Sequence, residues 1–193
     1  MLVLASASPR RQELLHNAGI PFTVQYSGID ETPLEDESPR SCAERLAREK
    51  ARAIFRICRE DYVLGADTIV VVDKQMLGKP RDASDAARML RMLSARKHEV
   101  ITGVCVIKPV IAGQSSEASE DVHSESTLVT MCALSDDDIR AYAATGEPMD
   151  KAGGYAIQGI ASRWIPRIEG DYSNVMGLPV SLVYRMLREA GAL

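Results

Sequence analysis

Apolar positions change their period several times along this chain, and each change marks an element. Residues 2–5 are a short apolar run that reads as a buried strand, and Ser8-Pro9 then supplies an N-cap and a proline at the first helical position. The helix that follows carries Leu14, Leu15 and Ala18 as its apolar stripe, with Gly19 as its stop. Residues 22–26 predict a second strand, and 27–37 an acidic, proline-containing loop. From 39 to 57 the apolar residues Ala43, Leu46, Ala47, Ala51 and Ile54 fall on one face of a long helix, and Lys50 lies inside that stripe.

Residues 62–66 and 69–72 predict two strand runs interrupted by the polar pair Asp67-Thr68, followed by a helix over 84–93 that buries Ala86, Leu90 and Leu93. Two long strands are expected at 99–107 and 126–134, separated by a polar loop at 113–125. Ser135-Asp136-Asp137-Asp138 caps a helix carrying Ile139, Tyr142 and Ala143, which Gly146 ends. The segment 147–159 is rich in glycine and polar residues without being low-complexity, and predicts an ordered functional loop. A strand at 163–168 and a helix at 178–190 with Leu182, Val183, Met186 and Leu187 inward complete the chain. Strands and helices interleave with no internal repeat and no compositional shift, so the expectation is one mixed α/β domain over 1–193.

Charge narrows the function. The 193 residues are 46% hydrophobic, enough for a sizeable core, and the net charge of -4 provides no general basic field for a nucleic acid backbone. Two Phe, six Tyr and one Trp offer few stacking platforms for bases. A polyanionic ligand must therefore be met by local cations. Cys42, Cys58, Cys105 and Cys132 are widely spaced and read as reduced, buried thiols of a cytoplasmic protein. The apolar start is too short for a signal segment, and no stretch reaches the ~18 apolar residues of a membrane span.

Candidate chemistry follows from where charges interrupt the pattern. Arg10 and Arg11 occupy the second and third helical positions, where a cation opposes the helix dipole by roughly 0.3–1 kcal/mol. An anion bound there reverses the sign, because backbone N–H groups, the hydroxyls of Ser6 and Ser8 and the guanidiniums converge on it; the alternative is that both arginines splay into water. Asp67 is expected at a strand end where an α/β sheet opens to a cleft, although an aspartate capping a turn fits the segment equally. Glu31 offers a second carboxylate to a hard divalent cation, unless its loop is merely solvated. Lys50 must either meet an anion or reach the rim of the core, and Lys79 in GKPRD sits in a rigid turn suited to phosphate. Walker loop, GxGxxG and HExxH patterns are missing, and His16, His98 and His123 form no cluster in sequence, His98 reading as a structural hydrogen-bonder. Carboxylates, lysines and arginines remain, the kit for metal-assisted hydrolysis of a phosphoanhydride.

The ordered set SASPRRQELL at 6–15, LAREKA at 46–51, GADTIVVVD at 65–73, GKPRD at 78–82, TGV at 102–104, TGEPMDKAGGYAIQG at 145–159 and NVMGLP at 174–179 resembles the Maf (septum-formation inhibitor) family across nearly the whole chain. The resemblance implies an elongated mixed β-sheet flanked by helices, in two lobes around a central cleft, similar to inosine triphosphate pyrophosphatases. It also implies a divalent metal, Mg²⁺ or Mn²⁺, a homodimer, and hydrolysis of a nucleoside triphosphate to monophosphate and pyrophosphate without nucleic acid or membrane partners. In this resemblance Asp67 is the catalytic base, while Ser6, Arg11, Glu31, Lys50 and Lys79 fall on positions associated with phosphate, metal or catalysis. Arg11, Thr68 and Gln158 match positions associated with substrate choice in the dTTP/UTP subgroup, as opposed to the sister subgroup that prefers 7-methyl-GTP. The glutamine of GGYAIQG can both donate and accept, which matches the N3–H and carbonyls of a uracil-type ring. Two departures are Ala156, where glycine is frequent, and a longer loop over 109–125. A different class of function, a non-catalytic nucleotide-sensing regulator of cell division, would be marked by loss of a catalytic carboxylate; Glu31 and Asp67 are both present.

Overall fold

A computed structural model describes residues 1–26, 28–110 and 118–193. Its elements run β1 (Leu2–Leu4), α1 (Pro9–Asn17), β2 (Thr23–Val24), α2 (Pro39–Phe55), β3 (Tyr62–Val72), β4 (Gln75–Leu77), α3 (Ala83–Leu93), β5 (Lys97–Ile107), β6 (Glu120–Thr130), α4 (Asp136–Ala144), β7 (Arg167–Glu169), α5 (Tyr172–Met176) and α6 (Val180–Ala190). Short 3₁₀ turns at Glu147–Asp150, Ala152–Gly154 and Ile160–Trp164 lie between α4 and β7. The seven strands form one sheet in the order β2-β1-β3-β5-β6-β7, with β4 hairpinned onto β3. β1 is parallel to β2 and β3, whereas β4 on β3 and β7 on β6 are antiparallel, so the mixed α/β expectation holds.

By packing, the chain divides into two compact units. The first comprises Met1–Asp67, Thr102–Glu125 and Gly177–Leu193; the second comprises Thr68–Ile101 and Ser126–Met176. In the first unit α6 supplies Leu182, Val183, Met186 and Leu187 to a core with Leu4, Leu15, Leu64 and Val104, while Ala47, Ala51 and Ile54 of α2 pack with Val3, Val63 and Cys105. In the second, α3 and α4 pack Leu90, Leu93, Ile139 and Tyr142 with Val70, Val100, Val129 and Trp164.

Two glycines bring α2 onto the first unit's strands. A Cβ on Gly65 of β3 would stand 2.2 Å from the Ala47 carbonyl oxygen, and one on Gly103 of β5 would stand 2.2 Å from the Ala43 carbonyl oxygen. Only hydrogen at these positions lets helix backbone lie this close to strand backbone.

Several elements differ from the sequence pattern. The two strand runs around Asp67-Thr68 are one continuous strand, so Asp67 lies inside β3 rather than at a strand end; its charge is met by Lys50, which removes the reason for a break. β6 begins at Glu120, not near 126, and ends at Thr130; its polar first half is satisfied by Arg52 on Glu120 and by Ser124 on Glu44, a pairing hidden from any hydrophobic count. The expected loop at 113–125 therefore shrinks at its far end, and its portion at 113–117 lies outside the described residues, as do 111–117 of the longer loop at 109–125. Residues 160–164 form a 3₁₀ turn, leaving β7 only Arg167–Glu169 of the strand expected from 163. β2 keeps two residues of five, and Ala18 is exposed although it was expected in the α1 stripe, since that helix ends at Asn17. Ser27, at the start of the acidic loop, lies outside the described residues. All four thiols are unpaired, but only Cys42 and Cys105 are buried; Cys58 is half-buried and Cys132 exposed, because it follows the end of β6.

Candidate active site

Helix α2 buries Lys50 among alanines and leucines, 6% exposed, and a lone ammonium there would be costly. It is not alone. Its Nζ donates to Asp67 Oδ1 at 2.5 Å and lies 2.7 Å from Glu31 Oε1. The close approach at Gly65, two residues before Asp67, lets Lys50 on α2 meet Asp67 on β3. The alternative in which Lys50 snorkels to the rim is thereby excluded.

Glu31 reaches this point from the acidic loop because that loop is tied to the same helix. Arg45 of α2 grips Glu37 bidentately, Nε on Oε1 at 2.7 Å and Nη2 on Oε2 at 2.8 Å, and Nη2 also donates to the Thr32 carbonyl. The Arg45 hydrogen bonds hold the Glu37 carboxyl at about 2, well below its ordinary range. Asp30 accepts from the backbone N–H and hydroxyl of Thr32, bracketing Glu31 in a tight turn. Arg45 and Glu37 escaped the sequence reading, because nothing in a solvated-looking acidic loop announces a partner eight positions away.

At the start of α1, Pro9 is the first helical residue and Arg11 the third, as expected. Arg11 does not splay into water: it is buried, its Nε donates to the Gly177 carbonyl at 2.7 Å and its Nη1 to Ser6 Oγ at 3.1 Å. Burial lowers its affinity for a proton, while the charges of Asp67 and Glu31 oppose that shift, which ties all three to one electrostatic neighbourhood. Ser6 Oγ also accepts from the Ser8 N–H at 3.2 Å. Ser8 makes no side-chain cap on its own helix and no acid lies in the first turn, whereas Ser38, Asp82 and Ser135 cap α2, α3 and α4. A helix N-terminus that carries no acid in its first turn and lies beside a buried guanidinium suits an anion. Arg10, one position earlier, is half-buried.

Ser6, Ser8, Arg11, Glu31, Lys50 and Asp67 are thus gathered in the first unit. The remaining candidates belong to the second. Thr68 is half-buried in β3, Lys79 is exposed in the turn between β4 and α3, and Gln158 is exposed in the segment before the 3₁₀ turn at Ile160–Trp164. The Lys79 turn is braced from α3: Asp85 accepts from the Arg81 N–H at 3.2 Å and from Arg88 Nε at 2.9 Å, and Arg88 is the main reason its carboxyl is held below the usual range. His98 is buried as a structural partner, its Nε2 2.7 Å from the Tyr155 hydroxyl, and burial alone pushes it down to about 4.

A hard divalent cation of the Mg²⁺ type is held by one or two carboxylates together with phosphate oxygens and water. The donor set fits that mode: Glu31 and Asp67 converge on one ammonium, whereas among the described residues no group of three or more His, Cys, Asp or Glu side chains assembles into a protein-only cage. The cations Arg11 and Lys50 face the anions Glu31 and Asp67, and Arg10 acts on Arg11 as a further positive charge. A polyphosphate bound here would add several negative charges, which a divalent ion would offset.

The sequence model of the family described as Maf-like protein matches residues 1–190. The chain is 53% identical over 192 residues to a dTTP/UTP pyrophosphatase of Koribacter versatilis (strain Ellin345), covering 100% of this chain and 95% of that protein. It is 50% identical over 188 residues to a protein of the same description from Syntrophomonas wolfei, covering 97% and 96%. A third such protein, from Geobacillus sp. (strain WCH70), is 46% identical over 190 residues, 98% of each chain.

Proposed function

Because this chain belongs to the Maf-like protein family, we propose that it hydrolyses dTTP and UTP at the phosphoanhydride between the α and β phosphorus atoms, releasing the monophosphate and pyrophosphate. The observation that carries the reading is the buried Lys50 ammonium held between Glu31 and Asp67 beside the buried Arg11. Such a cluster is costly for a fold to keep without a charged ligand to serve.

In this reading Arg11, Ser6, Ser8 and the positive end of α1 take up phosphate oxygens, with Lys50 as a further cation. Lys79 is assigned to phosphate, and Thr68 and Gln158 to the base. Glu31 and Asp67 would hold Mg²⁺ or Mn²⁺, which when bound supplies charge neutralisation on the phosphates. Asp67 Oδ1 is engaged by Lys50, so Oδ2 is the oxygen that orients the attacking water and takes its proton as the anhydride bond breaks. Lys50 holds the carboxylate in one orientation through that step.

The reading makes the enzyme a cytoplasmic homodimer acting on free nucleotides; among the described residues no helix is long and apolar enough to cross a membrane. Pyrophosphate release from a panel of nucleoside triphosphates, with Mg²⁺, Mn²⁺ or chelator, tests the whole proposal, and light scattering tests the dimer. Release from dTTP and UTP that chelator abolishes is the expected result. Nucleotide binding without any release would favour the regulator reading instead.

A further inference from the structure

Gln158 occupies the third position of a tight turn over 156–159, closed by the Gly159 N–H donating to the Ala156 carbonyl at 3.1 Å. Both shoulders of this turn end on one pair of side chains. The Ala156 N–H donates to the Tyr142 hydroxyl oxygen at 3.2 Å, and that hydroxyl donates to Glu147 Oε1 at 2.8 Å. The same carboxylate accepts the Ile160 N–H, at 3.1 Å on Oε1 and 3.4 Å on Oε2. We infer that Tyr142 and Glu147 are positioning residues for base selection: they clamp the backbone two residues before and two residues after Gln158, and so fix where its amide is presented. The inference rests on the base-reading role proposed above for Gln158.

The clamp is rigid at each joint. Tyr142 is 1% exposed on α4 and its ring packs edge-on against Trp164, 5.4 Å between centroids. Glu147 is pinned from its own backbone, whose carbonyl accepts from Lys151 Nζ at 2.6 Å. Its carboxylate lies so close under the turn that a Cβ on Gly159 would stand 2.2 Å from Oε1, so the glycine after Gln158 is required by the clamp itself. A second anchor precedes the turn, where Tyr155 is held by His98. A glutamine on an unbraced turn moves with the turn; a turn tied at both ends fixes the backbone from which its amide reaches and so narrows where it can meet a base edge.

Tyr142→Phe removes the hydroxyl and keeps the ring; Glu147→Leu keeps much of the bulk and removes both acceptor oxygens. Both are tested with dTTP and GTP, beside wild type and Gln158→Ala. The expected result is a rise of about tenfold in KM for dTTP with a smaller change in kcat, and a fall in the dTTP-over-GTP ratio of kcat/KM toward that of Gln158→Ala. Adding Tyr142→Phe to Gln158→Ala should lower that ratio no further. Amide exchange at Ala156 and Ile160 should quicken in both single variants while protection across α6 stays unchanged. Unaltered exchange at those two amides, or an unaltered dTTP-over-GTP ratio, overturns the clamp, and Glu147→Leu decides if Tyr142→Phe fails to fold. A Gln158→Ala enzyme that keeps wild-type preference overturns the base-reading role and the inference with it, and is distinguished because exchange at Ala156 and Ile160 still quickens in the clamp variants.

Discussion

Lys50 and Asp67 are each other's reason for being buried, and the two ends of the pair respond differently to loss. Asp67→Asn leaves Lys50 with Glu31 at 2.7 Å, so the ammonium keeps an anion and the fold should persist, while the proposed proton acceptor is gone. Turnover is expected to fall by ~10²–10⁴ with an unchanged circular dichroism spectrum; near-normal kcat would refute the assignment. Lys50→Ala instead strands a buried carboxylate, and typical losses are about 3–5 kcal/mol. Its denaturant midpoint should drop well below that of Asp67→Asn. Arg11→Ala combines both kinds of effect, since it forfeits the proposed phosphate ligand and the bond to the Gly177 carbonyl. Calorimetry should show triphosphate affinity weakened far more than nucleoside affinity, and equal losses would mean Arg11 is structural only. These residues were legible in the sequence because each broke a pattern: a lysine in an apolar stripe, an arginine at the positive end of a helix. Arg45, Glu37, Tyr142 and Glu147 broke none, which is why their roles emerge only from geometry.

Elements carry this chemistry through backbone proximity. Helix α2 lies against β3 and β5 where Gly65 and Gly103 leave no side chain, and a methyl at Gly65 would stand 2.2 Å from one backbone oxygen and 2.8 Å from the Ala51 nitrogen. Helix backbone cannot move aside like a side-chain tip, so Gly65→Ala must lift α2 from the sheet. Overpacking of this kind costs about 1–3 kcal/mol, and here it should also part Lys50 from Asp67. The variant is expected to lose activity out of proportion to its stability, measured as kcat at a temperature where it remains folded; full activity would show that the approach is not what aligns the pair. Helices α2, α3, α4 and α6 were readable to within about two residues because their apolar stripes are regular and, in the first three, a side chain caps the start. Strands fared worse where polar residues are satisfied by partners distant in sequence: Asp67 hid the continuity of β3, and the charged, serine-rich start of β6 hid that strand's first half.

For the molecule as a whole, the two packing units carry different acid sensitivities. In the second unit His98 is neutral and 2% exposed, with burial holding it at about 4 against an ordinary 6.5. Unfolding releases it to ordinary water, where it binds a proton more readily. The unfolded state therefore gains protons first as pH falls, and stability present above 6.5 is lost on the way down to about 4, by about 3 kcal/mol at roughly 1.4 kcal/mol per tenfold. In the first unit, Glu37 is held ionised by Arg45 down to about 2 against 4.5, so the stability it lends is complete above 4.5 and disappears only below that. Acidification from 6.5 to 5 should consequently weaken the second unit before it loosens the loop that presents Glu31. Amide exchange followed across that range is expected to show protection falling through α3, α4 and their strands while the Arg45–Glu37 region holds. His98→Gln, which can still bond the Tyr155 hydroxyl but does not titrate, should flatten the decline between 6.5 and 4. If wild type and His98→Gln lose stability in parallel over that window, the histidine is not the source and the acid response belongs to other groups.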